Sequence, residues 1–271
     1  MALFSLKARY IFPVHGPPIA NGVVTIAGER IVSIGRESGG PTPIDLGNVA
    51  ILPGLVNAHA HLEFSNLEEP LGEAGNSLPA WIDRVIAWRA AETDAPPAAI
   101  ARGIDESVAS GTALLGEIAT GTATDYGAVA DRIDLTLFRE TIAPRPTDGE
   151  AALAAADQWL ARGTTATSDC HFGLNPHAPY TVHPHIVTQL AQRSAQQHVP
   201  LAMHVAESPE EVELLASGGG PLRELLEART AWEPRTFARP LRPLDYLERI
   251  ADADRSVVIH GNYLREDELE F

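Results

Sequence analysis

Two histidines separated by one residue give the strongest chemical signal in the sequence. His59 and His61 follow the apolar run Leu55–Ala58. Because side chains two residues apart on a strand project from the same face, both rings would enter one space. Imidazole binds zinc, iron and related divalent metals, so the pair could share one ion. A second such pair, His183 and His185, begins a predicted helix, where a step of about 200° separates the rings, and we interpret it as structural.

A third imidazole and a carboxylate follow the apolar run Pro200–Val205. His204 lies near the end of this run and can supply a third metal ligand. Glu207 comes three residues later, where the predicted strand turns into its loop. A carboxylate there could move protons between a metal-bound water and a substrate. The alternative is that Glu207 caps a helix that begins near Ser208 and Pro209.

His260 ends the apolar run Ser256–His260, so an apolar run with a histidine at its end occurs for the third time. The active sites of (β/α) barrels lie at the C-terminal ends of their strands. We therefore predict that His260 belongs to the same site as the other histidines.

The residues around these histidines predict an α/β fold. Short apolar runs alternate with helical patterns from residue 51 onward, which indicates a parallel sheet with helices outside it. The runs are Leu55–Ala58, Thr112–Ile118, Leu135–Thr141, Cys170–Pro176, Pro200–Val205 and Ser256–His260. Six repeats point to a (β/α)8-type TIM barrel that is incomplete in this chain, because a complete barrel has eight strands. We expect the natural protein to continue for about 100 residues; a complete six-stranded open sheet is the alternative.

The first fifty residues have a different pattern. Short β-branched segments are separated by turn residues at Asn21-Gly22 and at Gly28-Glu29-Arg30, which predicts a small antiparallel β unit of the β-sandwich type. The expected domains are therefore residues 1–50 as this β unit and residues 51–271 as a (β/α) barrel that lacks the last two strands.

Composition excludes several classes of function. A net charge of −16 and a pI of about 5.0 argue against a nucleic-acid partner, because binding phosphates needs clustered basic residues. Lys7 is the only lysine, which excludes a P-loop, a Schiff base and a carbamylated lysine between two metals. Cys170 is the only cysteine, so there is no internal disulfide framework. We expect a cytoplasmic protein without a membrane partner and leave a homo-oligomer open.

The motifs together resemble the amidohydrolase superfamily, and within it the branch of aromatic deaminases and triazine chlorohydrolases. The segments that carry the resemblance are PGLVNAHAHLEFS at 53–65, GLNPHAPYTV at 173–182, HVAES at 204–208 and VIHGNYL at 258–264. LEFS with Trp81-Ile82 is similar to aminofutalosine deaminases. The resemblance implies a hydrolase that uses one divalent metal ion, zinc or iron, to release ammonia from a purine, pyrimidine or nucleoside-like ring.

The resemblance also implies a role for each matching residue. The metal ligands would be His59, His61 and His204, while Glu207 would shuttle protons. His260 would orient the attacking water or the substrate, and His177 would contact the substrate. The family also uses an aspartate after the eighth barrel strand, which none of the six predicted strands supplies. Since no lysine is available to bridge two ions, we expect a mononuclear site.

Several alternatives stay open at this point. The same water activation would suit a triazine-type chlorohydrolase or a cyclic-amide hydrolase, and an inactive scaffold would keep only the fold. His177 could instead bond to its own loop, and Glu140 could line the pocket or form an ion pair. The Trp81 and Trp88 side chains are expected to pack in the core. Substrate identity is expected to depend on loops, above all Ser217–Pro243.

Overall fold

The chain divides between Leu55 and Val56 into two units, each with its own sheet. The computed structural model describes residues 2–91, 96–127, 131–163 and 170–271.

The first unit contains one five-stranded sheet. Its strands are β1 (Leu3–Ile11), β2 (Ile19–Ala27), β3 (Arg30–Gly35), β4 (Ile44–Asp45) and β5 (Ala50–Ile51). The pairs β1–β2 and β2–β3 are antiparallel, as predicted, but β4 and β5 both run parallel to β1. The described strands are thus a single mixed sheet rather than the two antiparallel layers of a sandwich.

One of the two turns predicted in this unit is wrong. Gly28 has a φ of 61° and connects β2 to β3, as its sequence indicates. Asn21 and Gly22, however, lie inside β2, where Gly22 is opposite Ala8 of β1. Asn21 adopts the left-handed conformation that favours asparagine and glycine, with φ 52°, but it does so within a strand. The preference of asparagine and glycine for positive φ therefore does not by itself identify a turn.

The six apolar runs after residue 50 form the strands of the second sheet. They are β6 (Leu55–Ala60), β7 (Thr112–Ala119), β8 (Asp134–Thr141), β9 (Cys170–Pro176), β10 (Pro200–Val205) and β11 (Arg255–His260). Their order in the sheet is the order along the chain, and the ladders β7–β8, β8–β9, β9–β10 and β10–β11 are parallel. The prediction of six parallel strands is confirmed.

Helices follow most of these strands. They are α1 (Leu78–Ala91), α2 (Pro96–Ala109), α3 (Gly149–Gly163), α4 (Pro184–Gln197), α5 (Pro209–Ser217), α6 (Pro221–Ala228), α7 (Pro243–Ile250) and α8 (Glu266–Leu269). Proline occupies the first turn of α4 to α7, where its missing N–H has no partner to lose and its fixed φ suits the helix. The helical patterns predicted in α1, α3, α4 and α6 are confirmed.

The sheet curves into a nearly closed ring with two apolar layers. Outside the ring, buried side chains such as Leu135, Leu174 and Val205 pack against the helices. A separate inner cluster contains Ile118, Phe138, Ala202 and Ile259, from four different strands. At one end of the ring, His59 of β6 and His260 of β11 have ring centroids 5.4 Å apart. The first and last strands of the order therefore meet around one space, as in a barrel rather than a flat open sheet.

None of the helices in the described part of the chain is long and apolar enough to cross a membrane.

The close approach of β6 and β7 gives a test of this packing. A Cβ atom at Gly116 would overlap the carbonyl oxygen of Ala58 and approach the Phe138 ring to 3.3 Å. Because the oxygen belongs to the backbone, Gly116→Ala should lower the free energy of unfolding by about 1–3 kcal/mol. Urea denaturation measures this loss. Gly149→Ala is the control, since its Cβ would lie 3.5 Å from Ile186; an equal loss in both variants would contradict the packing argument.

Candidate active site

Four imidazole rings converge at the C-terminal ends of β6, β10 and β11. His59 Nε2 lies 3.0 Å from His61 Nε2 and 3.2 Å from His204 Nε2. One ring nitrogen each of His59, His204 and His260 lie within 4.8 Å of one another. The structure thus brings together the three histidines predicted as metal ligands and places His260 beside them.

Strand geometry explains part of this convergence. His59 and His61 are two residues apart at the end of β6, so alternation puts both rings on one face. His204 pairs in register with Ile259, whose side chain belongs to the inner cluster. His260 would point outward by simple alternation, but its φ of 69° ends the extended backbone. The left-handed conformation at His260 therefore accounts for a ring that reaches those of His59 and His204.

A backbone carbonyl fixes the tautomer of His204. The carbonyl oxygen of His177 accepts the backbone N–H of His204 at 2.9 Å and lies 3.0 Å from its Nδ1. Because a carbonyl oxygen only accepts, Nδ1 must carry the proton and the neutral ring presents the lone pair of Nε2 to His59. Metal-binding histidines are commonly oriented in this way by the bond that their other nitrogen makes.

Burial keeps the rings of His59, His61 and His204 neutral. It lowers the pKa of His59 to about 4 and that of His61 to about 3, with further lowering from neighbouring imidazoles. Burial, with His177 and His61 next in effect, holds the pKa of His204 far below its ordinary value. These rings are therefore unprotonated bases at neutral pH, and this is the form in which imidazole binds a metal ion.

The donor set fits one cation. His59 Nε2 contacts both His61 Nε2, at 3.0 Å, and His204 Nε2, at 3.2 Å, and a single proton on His59 Nε2 could satisfy only one of these two contacts. Two ligands of a tetrahedral zinc ion, each bound at about 2.05 Å, would lie about 3.3 Å apart. The observed spacing is close to that value, so His59, His61 and His204 could hold one divalent ion.

Glu207 faces the cluster and does not cap the following helix. Its Oε1 lies 3.4 Å from His260 Nε2. The cap of α5 is Ser208, whose Oγ accepts the N–H of Glu211. Burial raises the pKa of Glu207, while His260 opposes the shift. The geometry thus places a partly buried carboxyl beside an imidazole, the arrangement that a proton shuttle needs.

A cavity of about 310 Å³ opens onto the cluster. This volume lies at the lower end of the range for small-molecule sites. Apolar and aromatic side chains form most of its wall, including Phe64, Trp81, Ile82, Val85, Ile142, Tyr180, Leu225 and Leu226. The four histidines of the cluster, together with His177 and Glu207, complete the lining. An apolar wall beside a group of bases suits a flat organic ring better than a polymer or an inorganic ion.

Arg89 and Glu140 supply charge to this cavity. Arg89 forms a two-point ion pair with Glu63, at 3.3 Å from Nε to Oε2 and 2.5 Å from Nη2 to Oε1. The Glu140 side chain is 8% exposed, and its Oε1 lies 3.9 Å from Nε2 of His177, a ring that burial keeps neutral by lowering its pKa to about 4. Burial raises the pKa of Glu140 to about 7, although Arg89 opposes the shift. No hydrogen bond to the Glu140 carboxyl is found within the described residues, so its oxygens can accept from a ligand.

His177 reaches both its own loop and the cavity. Its Nδ1 lies 2.7 Å from Thr181 Oγ1, which matches the alternative that the ring bonds to its loop. The ring also lines the cavity and stands 5.0 Å, between centroids, from His204. The contact with Thr181 accounts for Nδ1, and the substrate contact stays a prediction for the rest of the ring.

The sequence did not identify every residue of the cavity. Trp81 was expected in the core, yet it is 36% exposed and lines the cavity. The helical period of apolar residues identifies which side of α1 is apolar. It does not show whether that side packs against the core or lines a cavity. Arg89 was not singled out, because its partner Glu63 lies 26 residues away along the chain. Leu225, Leu226 and Arg229 do come from the segment Ser217–Pro243, where substrate contacts were expected.

A buried carboxyl supports the backbone next to His61. Glu117 Oε2 accepts the N–H of Leu62 at 2.9 Å, and Oε1 accepts the hydroxyl of Tyr126 at 2.9 Å. Burial raises the pKa of Glu117 to about 8, whereas these two bonds lower it. Leu62 directly follows His61, so this bond holds the end of the His59–His61 segment in place.

No aspartate of the described chain takes the position that the resemblance assigns to one after an eighth strand. Asp245, Asp254 and Asp267 are paired with basic side chains away from the cluster: Asp245 with Arg239, Asp254 with Arg255, and Asp267 with Arg242.

Comparisons with known proteins agree on one family. The sequence model of the amidohydrolase family matches residues 50–259. Aminodeoxyfutalosine deaminase of Deinococcus radiodurans is 30% identical, over 92% of this chain and 61% of the relative. A 5-methylthioadenosine/S-adenosylhomocysteine deaminase of Moorella thermoacetica is 29% identical, over 79% of this chain and 51% of the relative. The chain thus spans between half and two thirds of these relatives.

A solved structure shares the fold. Helicobacter pylori aminofutalosine deaminase, in complex with methylthio-coformycin, superposes with a TM-score of 0.79 at 19% identity. The match covers 98% of this chain and 66% of that protein. At this level of identity the likeness concerns the fold alone.

Removing one imidazole tests the cation site. His204→Ala should lower the affinity for zinc at least about 10-fold, because a ligand with a fixed tautomer is lost. Metal content after equilibrium dialysis against a zinc buffer measures the change. His185→Ala is the matched control, since this ring contacts Gln189 on α4. Equal zinc content in both variants and the unaltered chain would contradict the site.

Proposed function

Because the chain belongs to the amidohydrolase family, we propose that it is a metal-dependent deaminase of an aromatic, nucleoside-like substrate. The family predicted from the motifs is confirmed by the match over residues 50–259. The observation that carries the proposal is the convergence of three neutral imidazoles beside Glu207, at the edge of an apolar cavity. The names of the two relatives, both deaminases of nucleoside-like compounds, support the choice of reaction.

The chain's own residues would hold one divalent ion, with His59, His61 and His204 as ligands. The all-imidazole donor set suits zinc, and iron is the alternative. When bound, such an ion acts as a Lewis acid that makes water a stronger nucleophile at neutral pH.

Glu207 and His260 would handle the protons of the reaction. Hydrolytic deamination forms a bond from water oxygen to the ring carbon, breaks the bond from that carbon to nitrogen, and releases ammonia. Glu207 Oε1 would carry a proton from the water to the ring nitrogen and then to the departing amine. His260 Nε2, 3.4 Å from that oxygen, would orient the water or the substrate. Both groups face the same space, so no large movement is needed.

The cavity would hold the ring and exclude water. Phe64, Trp81 and Tyr180 offer aromatic faces and edges, and aromatic contacts of this kind add to the burial of a flat substrate. His177 would contact the ring, and Glu140 would accept a hydrogen bond from a substrate donor. All these residues lie between 59 and 260, so we assign the activity to residues 51–271 and not to the β unit of residues 1–50.

A substrate panel tests the proposal. The purified chain loaded with zinc should release ammonia from 5′-methylthioadenosine, adenosine or an aminofutalosine, with an enzyme-coupled assay as the readout. Chloride release from a chlorotriazine would instead support the chlorohydrolase alternative. Failure to bind zinc and to release ammonia from any compound would support an inactive scaffold and contradict the proposal.

Glu207→Gln separates proton transfer from metal binding. The change removes the acid–base group but keeps its size, so kcat should fall by about 10²–10⁴. Zinc content should stay unchanged, because Glu207 is not a proposed ligand. Steady-state kinetics together with metal analysis measure both quantities. Turnover equal to that of the unaltered chain would refute the role of Glu207.

Glu140→Gln tests substrate binding at the other end of the cavity. Above pH 7, where the Glu140 carboxyl is charged, a hydrogen bond to it contributes about 1.5–3 kcal/mol, so its weakening should raise KM about 10-fold or more. The kcat value should change little, because such binding is equal in the ground state and the transition state. Glu150→Gln, at the exposed start of α3, is the control. An unchanged KM would show that Glu140 does not contact the substrate.

A further inference from the structure

The turn that carries Glu207 is held by a second glutamate. Ala206, the residue before Glu207, has a φ of 55°. Its N–H donates to Glu211 Oε1 at 2.8 Å, and the N–H of Glu207 donates to Glu211 Oε2 at 3.1 Å. Glu211 is fully buried. Both oxygens of one buried carboxylate are thus used by two consecutive backbone N–H groups.

These bonds are not the ones that a helix cap requires. Ser208 and Glu211 have the spacing of a capping box, in which the glutamate would accept the N–H of the cap residue itself. Here Ser208 Oγ does accept the N–H of Glu211, at 3.3 Å. The carboxylate of Glu211, however, passes over Ser208 and reaches the two residues before it. The start of α5 therefore does not explain where this carboxylate points.

The turn needs such a clamp because its conformation is unfavourable for alanine. A left-handed backbone places Cβ close to the following carbonyl, so Ala206 prefers other conformations by a factor of about 5–30. Losing the left-handed conformation at Ala206 would rotate the chain and move Glu207 relative to the cluster. The conformation also matters to the neighbouring loop, since the carbonyl of Ala206 accepts the N–H of Tyr263 at 3.1 Å.

The same turn is tied to the loop that begins at His260. The N–H of Gly261 donates to the carbonyl of Val205 at 3.0 Å, and Asn262 Nδ2 donates to the carbonyl of Glu207 at 3.2 Å. The segments that carry Glu207 and His260 are therefore connected on both sides of the 3.4 Å contact between their side chains. Glu211 is the buried group that fixes the first of these segments.

We propose that Glu211 is a positioning residue, whose carboxylate holds the Ala206-Glu207 turn so that Glu207 faces His260 and the imidazole cluster. The proposal rests on the proposed function, because it assigns to Glu211 an effect on proton transfer by Glu207. Glu211 itself acts only through the backbone of the turn.

The first test replaces Glu211 by glutamine. An amide has one acceptor oxygen, and its NH2 group would face one of the two backbone N–H groups. The Ala206-Glu207 turn would therefore spend less time in the conformation that Glu211 holds. We expect Glu211→Gln to lower kcat about 10–100-fold, the factor that corresponds to loss of a hydrogen bond to a charged group. KM and zinc content should stay within about twofold. Glu213→Gln is the matched control, since this exposed glutamate lies two residues further along α5 and should leave kcat unchanged.

Glycine at position 206 separates positioning from general stability. Glycine adopts positive φ without the cost that alanine has, so Ala206→Gly in the Glu211→Gln background should restore about 5-fold or more of the lost kcat. Glycine also lowers the stability of a folded chain through backbone entropy. A loss of activity caused only by destabilisation would therefore become greater, and such a result would overturn the proposal.

Hydrogen exchange of the turn gives a readout that needs no turnover. The amide hydrogens of Ala206 and Glu207 should exchange faster in Glu211→Gln than in Glu213→Gln. Should Glu211→Gln fail to fold, Glu211→Asp keeps the charge on a shorter side chain and should show a smaller change in the same direction. A kcat within twofold of the active unaltered chain, with unchanged exchange, overturns the positioning role alone. An unaltered chain that releases no ammonia overturns the proposed function instead.

Discussion

Three neutral imidazole rings that meet at the Nε2 atom of His59 determine what the surrounding strands and loops must hold in place. The Nε2 atom of His59 lies 3.0 Å from that of His61 and 3.2 Å from that of His204, in surroundings where burial keeps all three rings uncharged. One proton on His59 Nε2 can satisfy only one of these two contacts, and a buried polar atom without a partner is costly. The arrangement is therefore favourable with a shared cation, and the protein must hold the rings in place by other means.

The rings are held by hydrogen bonds that each join a backbone group to a side chain, rather than by contacts among the rings. The carbonyl of His177 orients His204, and the buried carboxyl of Glu117 binds the N–H that follows His61. A left-handed residue lies at the end of each of two strands, Ala206 directly after β10 and His260 as the last residue of β11, and each turns the chain there. The ring of parallel strands brings these ends together, and the loops set the direction of each side chain.

The sequence predicts the strands and the histidines because both depend on local patterns. Recognising the apolar runs that end near His204 and His260 requires only the local sequence and the alternation of side chains along a strand. The observed bounds of β10 and β11 differ from the predicted runs by at most one residue. Glu140 could not be assigned, since its burial and its distance from Arg89 depend on residues far apart in the chain. The Asn21-Gly22 pair failed as a turn for a related reason: a residue's preference for positive φ does not specify whether the chain reverses.

Anomalous X-ray diffraction from crystals of the zinc-loaded chain would locate the ion. We expect one peak bound to Nε2 of His59, His61 and His204, each at about 2.0–2.1 Å, with the Glu207 carboxyl facing the same space. A peak at another position, or three rings that stay unbound when zinc is in excess, would contradict this expectation.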